Sequence, residues 1–331
     1  MKLATFLAGG GAPEIGAVIA GDTRVFPFAR ASRVSGIEPW PWLTMLDLIE
    51  GQAQGLEMAR MLLDELAEDE THSLPLTDVR LLAPVPVPVQ MRDFLVFPLH
   101  VRRAPMGMRK LAVRMLGEER ALAQFGPERA EPGPVPDIHA AQPIYYKGNR
   151  FSVVGTGADV LWPRYSTVMD FELEFGVFLG KSGKNIAKDK AHEHIFGYTI
   201  FNDFSARDAQ MKEMAGRLGP SKGKDFDTGN AIGPWIVTRD DIPDPYRLKM
   251  EARVNGEVWA SGTSEGALHT FEDMIVHVSK DEKVMAGEFM GSGTMGGGCG
   301  MEFDRYLDDG DTVELEVEGI GVLRNTVRVQ K

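Results

Sequence analysis

The chain opens in short β-prone runs broken by tight polar turns. Val18-Ile19-Ala20 precedes Gly21-Asp22 and Thr23 to Phe26 follows, which predicts a hairpin. Between residues 40 and 68 the period changes. Leu43, Leu46, Leu48 and Ile49, then Leu56, Met58, Met61, Leu62, Leu63 and Leu66, recur at helical spacing, with an interruption near Gly51. The prolines of LLAPVPVPVQ exclude helix from Thr77 to Gln90 and mark a crossing into a second unit. Residues 109–125 are helical in composition, and 126–142 form a polar, proline-bearing loop. From Ile144 the chain is mainly β-like, with helices expected at about 187–194, 205–215 and 270–280. No internal repeat or coiled-coil heptad interrupts this order. The division is a small N-terminal module over 1–82 and a main domain over 83–331.

The most informative alternation is Met169 to Gly180. In a strand, Phe171, Leu173 and Phe175 share one face, and Glu172 and Glu174 share the other. Two neighbouring carboxylates repel unless a cation lies between them or water screens them. A metal site and a solvated acidic face both satisfy this pattern. A second apolar run, Phe196 to Asp203, ends in a carboxylate just before a helix start, with Ser205 the expected N-cap. Asp203 is then either a ligand at a strand end or a helix cap.

Composition narrows the class. The chain has 331 residues, 43% hydrophobic and 25% charged, with 36 Lys plus Arg against 48 Asp plus Glu and a net charge of −12. That acidity disfavours nucleic acid and anionic membranes as partners and suits a site that concentrates a divalent cation. A single cysteine, Cys299, excludes an intramolecular disulfide and any zinc site built from several thiolates. No apolar run approaches the ~18 residues of a membrane span, and the N-terminal run is too weak for a signal peptide. A cytoplasmic protein is expected.

Several motifs occur in one order: MDFELEFGVFLGK, GYTIFNDFSARDAQ, LGPSKGKDFDTGNAIGPWIV, VNGEVWASGTSE, GSGTMGGG and YLDDGDTVELEVEGIGVLRNTV. Together they resemble the fumarylacetoacetate hydrolase superfamily over roughly residues 144–329. The resemblance implies an α+β, mainly β fold, a mixed β-sandwich roll preceded by a small β-roll module, assembled as a homodimer. It implies that Glu172, Glu174 and Asp203 bind Mg2+, Mn2+ or Ca2+. Asp93-Phe94 with His100 matches a further family motif that supplies a fourth carboxylate, Asp93, and a histidine. In the family this histidine is oriented by a glutamate, here Glu302, which lies between GSGT and the LDDGD turn. Short family members carry that glutamate three residues after the histidine, where this chain has Arg103. Lys224 aligns with a lysine that polarises the substrate carbonyl, with Lys222 in the same loop as its competitor. Tyr146 and Gln210 align with substrate contacts. Gly293 and Thr294 fall in the turn that supplies oxyanion donors. Leu95 replaces a usual tyrosine, and residues 93–142 form the lid that sets specificity.

The implied reaction is hydrolysis of a carbon–carbon bond in a 1,3-dicarbonyl diketo acid, of the kind met in aromatic catabolism. His100 would activate water, and Lys224 with the turn donors would hold the oxyanion. The same scaffold hosts 2-keto acid decarboxylases, dehydratases and keto–enol tautomerases, and a non-catalytic relative is the remaining alternative. Cys299 reads as incidental, with no histidine near it in sequence. Met106–Met115 reads as packing or lid surface.

Overall fold

The computed structural model describes residues 1–330. Among these the largest sheet has twelve strands. Its path runs Leu74–Pro75, Arg24–Pro27, Glu14–Ile19, Lys2–Ala8, Asn230–Thr238, Ile195–Asp203, Leu173–Leu179, Phe289–Gly291, Met91–Phe94 and Tyr145–Lys147. Val79–Leu81 pairs with Lys2–Ala8, and Val153–Val154 pairs with Asn230–Thr238. The N-terminal β-rich module is thus joined to the rest through a ladder, with Leu3 opposite Ile236. A second sheet orders Glu257–Thr263, Lys249–Val254, Thr312–Val317, Gly321–Val329 and Asp159–Trp162. The fold is the mixed α+β, predominantly β architecture expected from the motifs.

Every residue of Leu173–Leu179, Ile195–Asp203 and Asn230–Thr238 is buried, as strands covered on both faces must be. One face, with Val177 and Ile200, packs on Leu315 and Leu323 of the second sheet. The other, with Phe178, Phe201 and Ile236, packs on Leu48 and Leu62 of the N-terminal helices. Those helices, Met45–Glu50 and Gln52–Leu66, meet at Gly51 where the periodicity breaks. The hairpin is Glu14–Ile19 with Arg24–Pro27.

Three local expectations change. The helix expected over 109–125 begins well before residue 109, running Pro98–Leu116 and followed by Glu118–Phe125. Pro98 stands in the first turn, where a missing N–H costs nothing, and only Pro105 lies inside. Ser205 is not an N-cap: Ser205–Ala206 pairs with Met169–Asp170, and the helix starts at Arg207. The expected helix near 187–194 is a 3-10 turn, Lys188–His194. No helix among the described residues is long and apolar enough to cross a membrane.

Candidate active site

Adjacent strands bring Asp93, Glu174 and Asp203 to one place, with Glu172 just before its strand, bridged to Cys299. Glu174 lies opposite Phe201 in the antiparallel ladder whose far strand ends at Asp203. Asp93 sits opposite Gly291 in a parallel pair, and Gly291 in turn lies opposite Gly176. One oxygen from each of Asp93, Glu172, Glu174 and Asp203 falls within 4.8 Å of the others. All four are buried, Asp93 at 7% exposure and Asp203 at 0%, so the solvated acidic face is ruled out. Gly291 makes room for this approach, since a Cβ there would lie 2.6 Å from Asp93 Oδ1.

The charges are only partly balanced. Lys224 Nζ donates to Glu172 Oε2 and to Asp203 Oδ2, each at 2.6 Å. Arg207 Nη1 lies 2.8 Å from Glu172 Oε1. Burial opposes the Glu172 charge, yet these two cations pull its carboxyl below the usual range. Burial pushes Asp203 up to about 6, against the pull of Lys224. Burial and neighbouring carboxylates raise Asp93 and Glu174 well above the usual range. Glu174 accepts from Gly293 N at 3.0 Å and from Thr294 Oγ1 at 3.2 Å, so both turn groups face a carboxylate. Tyr146 donates its hydroxyl to Asp203 Oδ2.

Asp93 Oδ1 and Asp203 Oδ1 are buried with no hydrogen-bond partner among the described residues. Two orphaned oxygens inside a four-carboxylate cluster fit a hard divalent cation, which takes oxygen ligands and relieves their repulsion. Lys222 instead stacks on Tyr165, with Nζ 5.2 Å from the ring centre. Gln210 lies beside the site with Oε1 accepting from Arg207 Nη1 at 3.0 Å.

His100 stands in the first turn of Pro98–Leu116, its Nδ1 2.7 Å from Glu302 Oε1. Glu302 Oε2 accepts from Gly297 N at 2.9 Å, which fixes the carboxylate. Because Nδ1 faces a carboxylate it holds the proton, and Nε2 keeps its lone pair. A protonated His100 would favour the charged form of Glu172, which places the imidazole beside the acidic cluster.

Cys299 corrects the reading by sequence distance: its Sγ is 4.0 Å from His100 Nδ1 and 3.8 Å from Glu302 Oε1. Burial raises its thiol well above the ordinary value, which opposes a nucleophilic role.

Asp170 and Arg207 were not singled out by sequence reasoning. Asp170 accepts from Gly300 N at 2.8 Å, Met301 N at 3.0 Å and Arg207 Nε at 2.8 Å. It therefore ties the short Gly300–Phe303 turn, which carries Glu302, to the helix that follows Asp203. The available signal was their place in the motifs MDFELEF and NDFSARDAQ, next to the candidate ligands Glu172 and Asp203.

The family described as fumarylacetoacetate (FAA) hydrolase C-terminal matches residues 118–328. The chain belongs to the fumarylacetoacetate hydrolase superfamily. Oxaloacetate tautomerase YisK of Bacillus subtilis is 35% identical over 187 residues, covering 56% of this chain and 61% of YisK. The mitochondrial oxaloacetate tautomerase FAHD2A of Homo sapiens is 37% identical over 187 residues, covering 56% of this chain and 59% of that protein. The match thus spans less than two thirds of either relative. Fumarylacetoacetate hydrolase from psychrophilic Exiguobacterium antarcticum superposes over 100% of both chains with a TM-score of 0.72 and 26% identity. These relatives overturn the expected hydrolase of carbon–carbon bonds in ketonic substances: both curated proteins are oxaloacetate tautomerases. A water-activating histidine was inferred from a motif that marks the site, and one scaffold supports several reactions at that site.

Proposed function

We propose that this protein interconverts the enol and keto forms of an oxaloacetate-like 2-keto dicarboxylate, with Mg2+ or Mn2+, or Ca2+, held by Asp93, Glu172, Glu174 and Asp203. The observation that carries this reading is the His100–Glu302 pair beside the acidic cluster, at 2.7 Å. Tautomerisation moves one proton between an oxygen and the neighbouring carbon and needs no co-reactant. A single base with a fixed orientation suffices. His100 Nε2 takes the enol hydroxyl proton and returns it to C3, while Glu302 holds Nδ1–H and stabilises the imidazolium between the two transfers. When bound, the cation supplies positive charge that lowers the cost of enolate charge. Lys224 balances Glu172 and Asp203, and its ammonium adds to the field on a developing oxyanion. Gln210 gives its carbonyl to Arg207, which leaves its amide N–H groups for a substrate carboxylate. Gly293 and Thr294 orient Glu174.

The test adds enzyme and Mg2+ to freshly dissolved, enol-rich oxaloacetate. Ultraviolet absorbance follows the enol, and proton NMR follows the products. Enol loss faster than in buffer, rising with enzyme concentration and yielding keto oxaloacetate first, is expected. An enol decay independent of enzyme, or pyruvate as the first product, would overturn the reading. A homodimer is proposed on the family resemblance, and a solution mass of 36.4 kDa by light scattering would refute it.

A further inference from the structure

We propose that His100, Cys299 and Glu302 form a second, inhibitory metal site, selective for Zn2+ and similar borderline cations and distinct from the four-carboxylate cluster. The proposal rests on His100 as the base of the tautomerase reading. One donor atom from each residue lies within 4.8 Å of the other two. The separations are 2.7 Å for Nδ1 to Oε1, 4.0 Å for Sγ to Nδ1 and 3.8 Å for Sγ to Oε1. Tetrahedral Zn2+, with bonds of ~2.0–2.3 Å to nitrogen, oxygen and sulfur, holds such donors roughly 3.3–3.6 Å apart. Sub-ångström shifts of three side chains reach that geometry. Water takes the fourth position, because Glu302 Oε2 is committed to Gly297 N.

Donor chemistry separates the two sites. The acidic cluster is all oxygen and suits Mg2+, Mn2+ or Ca2+, whereas imidazole with thiolate favours Zn2+. The sites are adjacent, since the backbones of Glu172 and Cys299 form an isolated bridge. The positive charge of Arg207 near Cys299 is balanced by Asp170 and Glu172. On binding, the thiol proton leaves to solvent and Sγ bonds the metal. The imidazole proton moves from Nδ1 to Nε2 as Nδ1 bonds the metal. Nε2 then has no lone pair, so the base is switched off, and Glu302 no longer accepts from Nδ1.

Co2+ is the probe, added to the full chain in excess Mg2+. Cys299 is the only cysteine, so any thiolate-to-cobalt charge-transfer absorption must come from this site. That band is expected in the wild type, bleached by Zn2+ and missing in Cys299→Ser and Cys299→Ala. Zn2+ should inhibit the Mg2+-loaded enzyme. In either variant the zinc needed should rise by at least the roughly 10–100-fold that loss of a supporting metal contact costs. A wild-type protein with no charge-transfer band, or equal zinc inhibition of wild type and both variants, would overturn the site. Absence of turnover on oxaloacetate would count against the tautomerase alone, because the cobalt band does not depend on activity.

Discussion

His100 Nδ1 and Glu302 Oε1 stand 2.7 Å apart although 202 residues separate them in sequence. The two side chains ride on different elements, the Pro98–Leu116 helix and the Gly300–Phe303 turn. Their alignment therefore depends on how those elements pack, and the site can be weakened from several directions.

Removing the base is the direct test. His100→Ala should lower tautomerase kcat by ~10²–10⁴-fold, the usual worth of a positioned acid–base group. Mg2+ affinity by calorimetry should be unchanged, because the ligands lie on other elements. Glu302→Gln should cost less, since it orients the imidazole without taking the transferred proton. Equal turnover in wild type and His100→Ala would remove histidine from the mechanism.

Gly107 sets the distance between helix and turn. A Cβ at this position would fall 2.2 Å from Met301 O, a backbone atom that cannot swing aside. Alanine ordinarily stabilises a helix interior by ~1 kcal/mol relative to glycine. Here Gly107→Ala should instead destabilise by about 1–3 kcal/mol, as overpacking does, and should lower kcat by moving Glu302 from His100. Urea unfolding and turnover measure both effects, and a stabilised, fully active variant would contradict the packing argument.

Asp170 is buried against Arg207 and holds the amides of Gly300 and Met301. Asp170→Ala leaves a buried guanidinium short of a partner and should cost about 3–5 kcal/mol. Thermal unfolding with and without Mg2+ should show the loss in both states. A variant as stable as wild type would mean that Glu172 alone balances Arg207.

Metal binding should carry a definite pH dependence. Burial raises Asp203 from 3.8 to about 6, and Asp93 and Glu174 shift in the same direction. A buried acid with a raised folded pKa binds more protons folded than unfolded. Its charging penalty is absent below the unfolded pKa and grows as pH rises toward the folded one. The metal-free protein should therefore lose stability between about pH 4 and pH 6 from Asp203. A cation removes the repulsion and competes with those protons. The rise in Tm on saturating with Mg2+ should be larger at pH 7.5 than at pH 5, read by scanning calorimetry. An equal rise at both values would exclude these carboxylates as the ligands.

Much of the site was legible where chemistry follows backbone period. Glu172 and Glu174 share a face because strand side chains alternate, and this holds whatever the strand packs on. The helices over 40–68 and their break at Gly51 follow from apolar spacing in the same way. The helix expected from 109 begins at Pro98, because a proline in the first turn is tolerated where it stands.

Local pattern settled which residues face which way along each element: the paired glutamates, the strand-end Asp203, the hairpin and the helical stripes. It left open whether the acidic face meets water or a cation, and it set Cys299 aside for want of a nearby histidine. Burial excludes the solvated face, and convergence brings Cys299 to His100. Met91–Phe94 lies beside Phe289–Gly291, which puts Asp93 among the glutamates, and the 300–303 turn packs under Gly107, which puts Glu302 and Cys299 against His100. The reason is physical: alternation is a property of one strand's own dihedrals, whereas desolvation and charge proximity are sums over elements far apart in the chain, fixed only when the sheets and the Pro98–Leu116 helix pack on one another.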